Sequence, residues 1–250
     1  MNDYRIVAMI PARYGSSRFP GKPLAMLCGQ PVIVRTCQAA ARTGLFSDVY
    51  VVTDDTRIRD AVIEGGYKCI MSTREHPTGS DRIAEAAEKV DCDLIVNVQG
   101  DEPFTSKEAL ELLLSPYYGQ DADKVDLSTM MQELKDPELV KDPNYCKVIT
   151  DKDGFAMYFS RSPIPYPRNK GVGARYFEHI GLYAFRRQAL LDFASWKQLP
   201  NEASEAIECI RFLEYGKKIK VLETNYMGIE IDTPEDLVNA EKLFRERGME

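Results

Sequence analysis

The sequence predicts an α/β protein built on a largely parallel sheet with helices on both faces. Two observations carry this. Short apolar runs alternate with helix-periodic segments through the first hundred residues, at 4–10, 48–53, 67–71 and 93–98. Strands apolar along their whole length are those of a parallel sheet buried between helix layers. Three of these runs then end on loops of polar and flexible residues: 11–23, Thr53-Asp54-Asp55 and Gln99-Gly100-Asp101. The carboxyl ends of parallel strands are where such sheets bind ligands.

The elements follow in order. Tyr4–Ile10 reads as the first strand. Pro31–Thr43 places Val32, Ile33, Thr36, Ala39 and Ala40 at helical spacing and stops at Gly44, a helix terminator. Asp48–Thr53 is a β-branched strand, and Thr56–Glu64 a helix closed by Gly65-Gly66. Tyr67–Met71 is a strand, Ser80–Lys89 a helix and Asp93–Val98 a strand. The second half is less regular. Leu127–Gln132 reads as a strand, and Asp136–Tyr145 as a loop or short helical stretch around Pro137 and Pro143. Cys146–Thr150 and Ala156–Ser160 flank Asp151-Lys152-Asp153-Gly154, a hairpin signal. Pro163–Arg168 carries three prolines and should be extended. Arg187–Ser195 and Ser204–Tyr215 read as helices, and Lys218–Thr224 as a strand. Pro234–Arg247 is a helix with Thr233 as N-cap and Asp236 three residues on, a capping box. There is no repeat or linker, so residues 1–250 are expected to form a single domain, with the hairpin as an arm suited to self-association.

Composition narrows the function. Of 250 residues, 44% are apolar and 28% charged, and the net charge is −7. A general nucleic-acid or anionic-membrane binder would be basic. No stretch approaches a membrane span, and the N-terminal residues lack the layout of a signal peptide. The six cysteines are scattered, without a C-x-x-C pair. Free thiols in a reducing cytoplasm are expected, and neither His76 nor His179 has zinc-ligand spacing to a cysteine pair.

The loop Ile10-Pro11-Ala12-Arg13-Tyr14-Gly15-Ser16-Ser17-Arg18-Phe19-Pro20-Gly21-Lys22-Pro23-Leu24 is the strongest local signal. Backbone N–H groups near Gly15 and Gly21 can face phosphate oxygens, and Arg13, Arg18 and Lys22 can neutralise them. Neither common phosphate-loop pattern fits, because Pro23 follows Lys22 and there is no G-x-G-x-x-G. A basic surface turn is the competing reading. Asp101 and Asp232 each follow an apolar run. Two carboxylates at strand ends suit Mg²⁺, which takes one or two carboxylates plus substrate phosphates; a turn residue and an ordinary helix-start residue are the alternatives. Arg161, His179, Tyr183 and Glu208 are further candidates. Arg161 could fork onto a carboxylate, whereas His179, beside Ile180 and Gly181, also suits a core position.

Taken together, the opening loop, Val52-Thr53-Asp54, His76-Pro77-Thr78-Gly79-Ser80-Asp81-Arg82, Asn97-Val98-Gln99-Gly100-Asp101-Glu102-Pro103, Tyr158-Phe159-Ser160-Arg161, His179-Ile180-Gly181-Leu182-Tyr183 and Asp232-Thr233-Pro234-Glu235-Asp236-Leu237 resemble, in order, the 3-deoxy-manno-octulosonate (Kdo) cytidylyltransferase family. The resemblance spans nearly the whole chain. It implies a mixed, mostly parallel sheet of the nucleotide-diphospho-sugar transferase type, a hairpin dimerisation arm and a cytoplasmic homodimer. The implied reaction moves CMP from CTP to the anomeric hydroxyl of Kdo, with Mg²⁺ as cofactor, for lipopolysaccharide synthesis. By resemblance, Arg13, Ser17 and Lys22 hold the triphosphate. Thr53, Gly79, Ser80 and Arg82 surround the nucleoside, and Gln99 lies near the sugar end. Asp101 and Asp232 carry the metal, and Arg161, His179, Tyr183 and Glu208 contact the sugar acid. Cys209, where the family often has Gln, and the approach Met227–Asp232 depart from the pattern and leave a related acid sugar such as 8-amino-Kdo open. A cytidylyltransferase for a polyol phosphate and a non-catalytic nucleotide-binding protein are the other readings.

Overall fold

Val7, Ala8, Met9 and Ile10 are fully buried, and their strand lies between two parallel neighbours. The computed structural model describes residues 4–15, 18–169, 171–225 and 230–249. In chain order the elements are β1 (Ile6–Ala12), β2 (Met26–Leu27), β3 (Gln30–Pro31), α1 (Val32–Arg42), β4 (Asp48–Thr53), α2 (Thr56–Glu64), β5 (Lys68–Met71), α3 (Gly79–Ala87), β6 (Leu94–Asn97) and α4 (Lys107–Leu114). They continue with β7 (Leu127–Leu134), α5 (Pro137–Lys141), β8 (Lys147–Thr150), β9 (Ala156–Ser160), β10 (Tyr176–Arg186), α6 (Arg187–Ser195), α7 (Pro200–Glu205), α8 (Cys209–Glu214), β11 (Ile219–Glu223) and α9 (Pro234–Glu246).

The chain divides into two compact units, one from residues 3–110 with 227–250 and one from residues 111–226. The division falls within α4, so no change in composition announces it. In the first unit, β6, β1, β4 and β5 form a fully parallel sheet, with α1, α2 and α3 packed on its strands. The register pairs Ala12 with Thr53 and Thr53 with Met71. The loops after β1, β4, β5 and β6 therefore leave from one edge.

The second unit is mixed. β7 pairs antiparallel with β10 and parallel with β11. The expected hairpin is β8–β9, and β8 also meets β10 at Lys147 and Glu178. Its core includes Phe193 stacked on Phe212 at 4.9 Å, with the Arg211 guanidinium 4.1 Å above Phe193. Arg211 also grips Glu202 through two bonds of 2.6 and 2.7 Å, a buried pair whose partners must be kept together.

One expected element differs from the structure. The helix read over Ser204–Tyr215 is two short ones, α7 and α8, separated at Ala206, whose φ of 52° lies in the left-handed region. The apolar spacing runs through both and hides the break. Helix α4 is not among the expected elements, although Ala109, Leu110, Leu113 and Leu114 are buried.

Candidate active site

After β1 the chain folds into the basic loop. Gly21 has φ of 71°, and its N–H donates to the Tyr14 carbonyl at 3.0 Å, closing the loop. This φ favours glycine, and a Cβ there would stand 3.1 Å from the Tyr14 ring and press on it. Pro23 opens the short 3-10 turn Lys22–Leu24 with its φ already set. The residue that spoils the common phosphate-loop pattern thus fixes Lys22 at the start of a turn. The Lys22 ammonium bonds the Asp101 carboxylate and, at 3.0 Å, Asp232 Oδ1. Arg18 reaches Asp232 Oδ2 at 3.0 Å.

The two aspartates are brought together by separate devices. Asp101 follows Gly100, where a Cβ would lie 2.9 Å from the Pro11 carbonyl oxygen; only glycine lets the two loops approach this closely. The Ile231 N–H donates to the Asp101 carbonyl at 3.1 Å and ties the two approaches to each other. Asp232 precedes α9, whose capping box is formed as expected: Thr233 Oγ1 accepts from the Asp236 N–H, and Asp236 accepts from the N–H groups of Thr233 and Asp232. Ala240 and Phe244 of α9 pack with Leu27, Val32, Phe104 and Ile231. Each fully buried large side chain of that cluster contributes about 2 kcal/mol, which fixes the helix whose start carries Asp232.

Lys22, Asp101 and Asp232 line a cleft of about 380 Å³. Of the residues expected from the sequence, Arg13, Lys22, Gly79, Arg82, Gln99, Asp101 and Asp232 are in its wall. Thr53 and Ser80 are buried and are not among the lining residues. The Thr53 hydroxyl instead accepts from the Asp55 N–H at 3.2 Å and shapes the turn after β4. Ser17 lies outside the described residues, as do Met227, Gly228 and Ile229 of the approach to Asp232. Arg18 and His76 also line the cleft. The basic loop pointed to Arg18. His76 is linked to Glu85 across nine positions, a partnership with no local pattern.

Burial pulls the Lys22 pKa down, but the charges and hydrogen bonds of Asp101 and Asp232 outweigh it and leave the ammonium above the ordinary lysine value. Glu102, next in sequence, is pushed up to about 8 by burial and then by the charges of Glu230 and Asp101. Among the described residues no three His, Cys, Asp or Glu side chains cluster as a metal cage. The Asp101–Asp232 pair nevertheless fits a divalent cation. Both carboxylates already converge on one cation, and two oxygen donors leave the remaining positions for phosphate and water.

The other four expected residues belong to the second unit. Arg161 Nε, Nη1 and Nη2 donate to the carbonyls of Glu205, Pro143 and Ala206, so three of its five N–H groups hold backbone. His179 Nε2 is 3.0 Å from Thr129 Oγ1 and 4.0 Å from Cys209 Sγ, and its ring meets Phe159 and Tyr183. Burial lowers its pKa to about 4. Burial therefore favours the neutral ring. Tyr183 is buried against Cys209 and its pKa lies well above the usual value, mainly through burial. Glu208 stands at the start of α8. Lys147, which the sequence did not single out, is fully buried with its ammonium on the Asp142 carbonyl at 2.9 Å.

The cytidylyltransferase family model matches residues 7–219. The chain is 54% identical over 240 residues to a 3-deoxy-manno-octulosonate cytidylyltransferase of Christiangramia forsetii, covering 96% of this chain and 97% of the relative. It is 52% identical over 242 residues to the protein of that name from Flavobacterium johnsoniae, covering 97% and 99%. A solved CMP:2-keto-3-deoxy-manno-octonic acid synthetase complexed with CTP superposes with a TM-score of 0.90 at 37% identity, covering 97% of this chain and 99% of that one. A 4-diphosphocytidyl-2C-methyl-D-erythritol synthase from Anaerococcus prevotii, 17% identical with a TM-score of 0.63 over 96% and 98% of the two chains, shares the fold. With a family match over most of its length and relatives more than half identical, the chain belongs to the 3-deoxy-manno-octulosonate cytidylyltransferase family and is a nucleotidyltransferase.

Proposed function

We propose that this protein transfers CMP from CTP to the anomeric hydroxyl of Kdo and releases pyrophosphate, supplying the activated sugar for lipopolysaccharide synthesis. The observation that carries the reading is the convergence of Lys22, Asp101 and Asp232 in one cleft. In the reaction the hydroxyl oxygen bonds to the α-phosphorus and gives its proton to water, while the bond between the α-phosphorus and the bridging oxygen of the β-phosphate breaks and pyrophosphate leaves with that electron pair. Positioning and charge neutralisation supply most of the rate in such a transfer. Arg13, Arg18 and Lys22 provide cations for the triphosphate and the leaving pyrophosphate. Lys22 also keeps the two aspartates from repelling each other before substrate arrives. Mg²⁺ held by Asp101 and Asp232 would neutralise phosphate charge and acidify the attacking hydroxyl. A ketose anomeric hydroxyl is already more acidic than an ordinary alcohol, so no protein base is invoked.

A cytoplasmic homodimer belongs to the same proposal. No helix among the described residues is long and apolar enough to cross a membrane. Strand β9 pairs only with β8 among the described strands, and its Met157 is exposed, which leaves an edge for a second copy.

Pyrophosphate release tests the chemistry with each of the four nucleoside triphosphates against Kdo, 8-amino-Kdo and a polyol phosphate, with Mg²⁺ and after EDTA. Release is expected with CTP and Kdo only, lost on chelation, and reduced at least 100-fold in Asp101→Asn with the fold retained. No release with any acceptor would remove the catalytic reading. Release indifferent to EDTA would remove the metal.

A further inference from the structure

One wall of the cleft carries a polar arrangement that the phosphate chemistry does not use. His76 lines the cleft, yet its side chain is only 8% exposed. Its Nε2 lies 2.6 Å from Glu85 Oε2. Glu85, on α3, also accepts from Ser72 Oγ at 2.8 Å, from the Thr73 N–H at 3.0 Å and from Thr73 Oγ1 at 2.5 Å. Burial opposes its charge, but the bonds from Thr73, His76 and Ser72 hold the carboxyl well below its ordinary range. An ionised carboxylate can only accept. Nε2 is therefore the donor to Glu85, and the neutral tautomer with that proton in place has its lone pair on Nδ1. Glu85 thus fixes both the position of the ring and which nitrogen can accept.

Arg82 stands in the same wall with the opposite character. Its Nη2 donates to Asp54 Oδ2 at 2.9 Å, while Nη1 is buried with no partner. A buried, unpaired guanidinium N–H is costly and favours a ligand that offers an acceptor. The wall therefore combines an imidazole whose Nε2 is committed to Glu85 with one unspent donor on Arg82.

We infer that His76, held by Glu85, is a specificity residue that accepts a hydrogen bond from the exocyclic amino group of the cytosine ring, opposite the Arg82 donor. The inference rests on the CTP reading above. The polar edge of cytosine offers acceptors at O2 and N3 and a donor at N4, which matches this wall. Uracil replaces the amino group with a carbonyl and protonates N3. It would set acceptor against acceptor at His76 and donor against donor at Arg82. Buried polar mismatches of this kind discriminate far more strongly than a difference in size. Glu85 acts as a positioning residue through His76.

The test is titration calorimetry of the full-length protein with CTP and with UTP, each with Mg²⁺, so that the readout does not depend on the acceptor sugar. Wild type should prefer CTP. His76→Phe keeps ring volume and removes the acceptor; it should weaken CTP about 10- to 50-fold while UTP changes less than about twofold. His76→Asn restores an acceptor oxygen and should recover part of the preference. Glu85→Gln frees the ring nitrogens and should lower the CTP-to-UTP ratio more than it lowers affinity for the triphosphate common to both. A wild type without preference, or His76→Phe losing CTP and UTP affinity in parallel, would overturn the inference and leave the pair as a structural staple for residues 72–76. If His76→Phe does not fold, the ratio measured in His76→Asn and Glu85→Gln decides. A normal CTP preference with no pyrophosphate release for any acceptor would instead overturn the catalytic reading alone.

Discussion

His179 shows how burial alone sets what a side chain can do. Its ring is held by Thr129, Cys209, Phe159 and Tyr183, and removal from water lowers its pKa to about 4. An unfolded histidine titrates near ~6.5. The folded value is the lower of the two, so the stability it contributes is fully present above about pH 6.5 and is lost as pH falls toward 4, where the unfolded chain binds a proton that the folded chain refuses. The complete loss amounts to roughly 3 kcal/mol. His179→Gln removes the titration, so urea unfolding between pH 7 and pH 5 should show wild type losing about 2 kcal/mol more than the variant. Parallel pH profiles would place the acid sensitivity elsewhere. The same residue shows a limit of sequence reading. A histidine in a half-apolar stretch was open to core and functional readings alike, and only its neighbours from β7, β9 and α8 decide its charge. Arg161 carries the same lesson, because the carbonyls that hold it come from distant turns.

At the scale of elements, local signals were read well where one residue fixes one geometry. Gly44 and Gly66 take positive φ after α1 and α2, and the Thr233–Asp236 capping box forms at the helix start where it was expected. The break at Ala206 was hidden because alanine is an ordinary helix former, and only tertiary packing can hold it at positive φ. The capping box also bears on function, since the Asp236 carboxylate takes the N–H groups of both Thr233 and Asp232. The Thr233 hydroxyl holds the Asp236 carboxyl below its usual range. Asp236→Ala should cost about 1 kcal/mol of stability, as loss of a cap does, and should also loosen the backbone that presents Asp232. The expected result is a lower melting temperature together with a several-fold higher Mg²⁺ concentration for half-maximal activity. A stability loss with an unchanged Mg²⁺ requirement would show that the cap serves the helix and not the carboxylate.

For the molecule as a whole, the charge distribution governs how a triphosphate reaches the cleft. The chain carries a net charge of −7, yet Arg13, Arg18, Lys22 and Arg82 line the cleft against the carboxylates of Asp101 and Asp232. The sequence revealed this contrast because three of those cations sit in one loop. It did not reveal the division into two units, whose boundary lies within α4 without a linker. A local cationic field inside an acidic surface attracts a polyanion only at short range, because added salt screens charges more than about 10 Å apart at ~0.1 M. Attraction at the cleft and repulsion from the rest of the surface therefore respond to salt in opposite directions. If the cleft cations dominate, the KM for CTP should rise several-fold between about 50 and 300 mM NaCl at fixed free Mg²⁺. The kcat should hold nearly constant, because groups already paired with bound phosphates are poorly screened. A KM that falls over the same range would show that repulsion by the acidic surface, not capture by Arg13, Arg18 and Lys22, limits entry of the nucleotide.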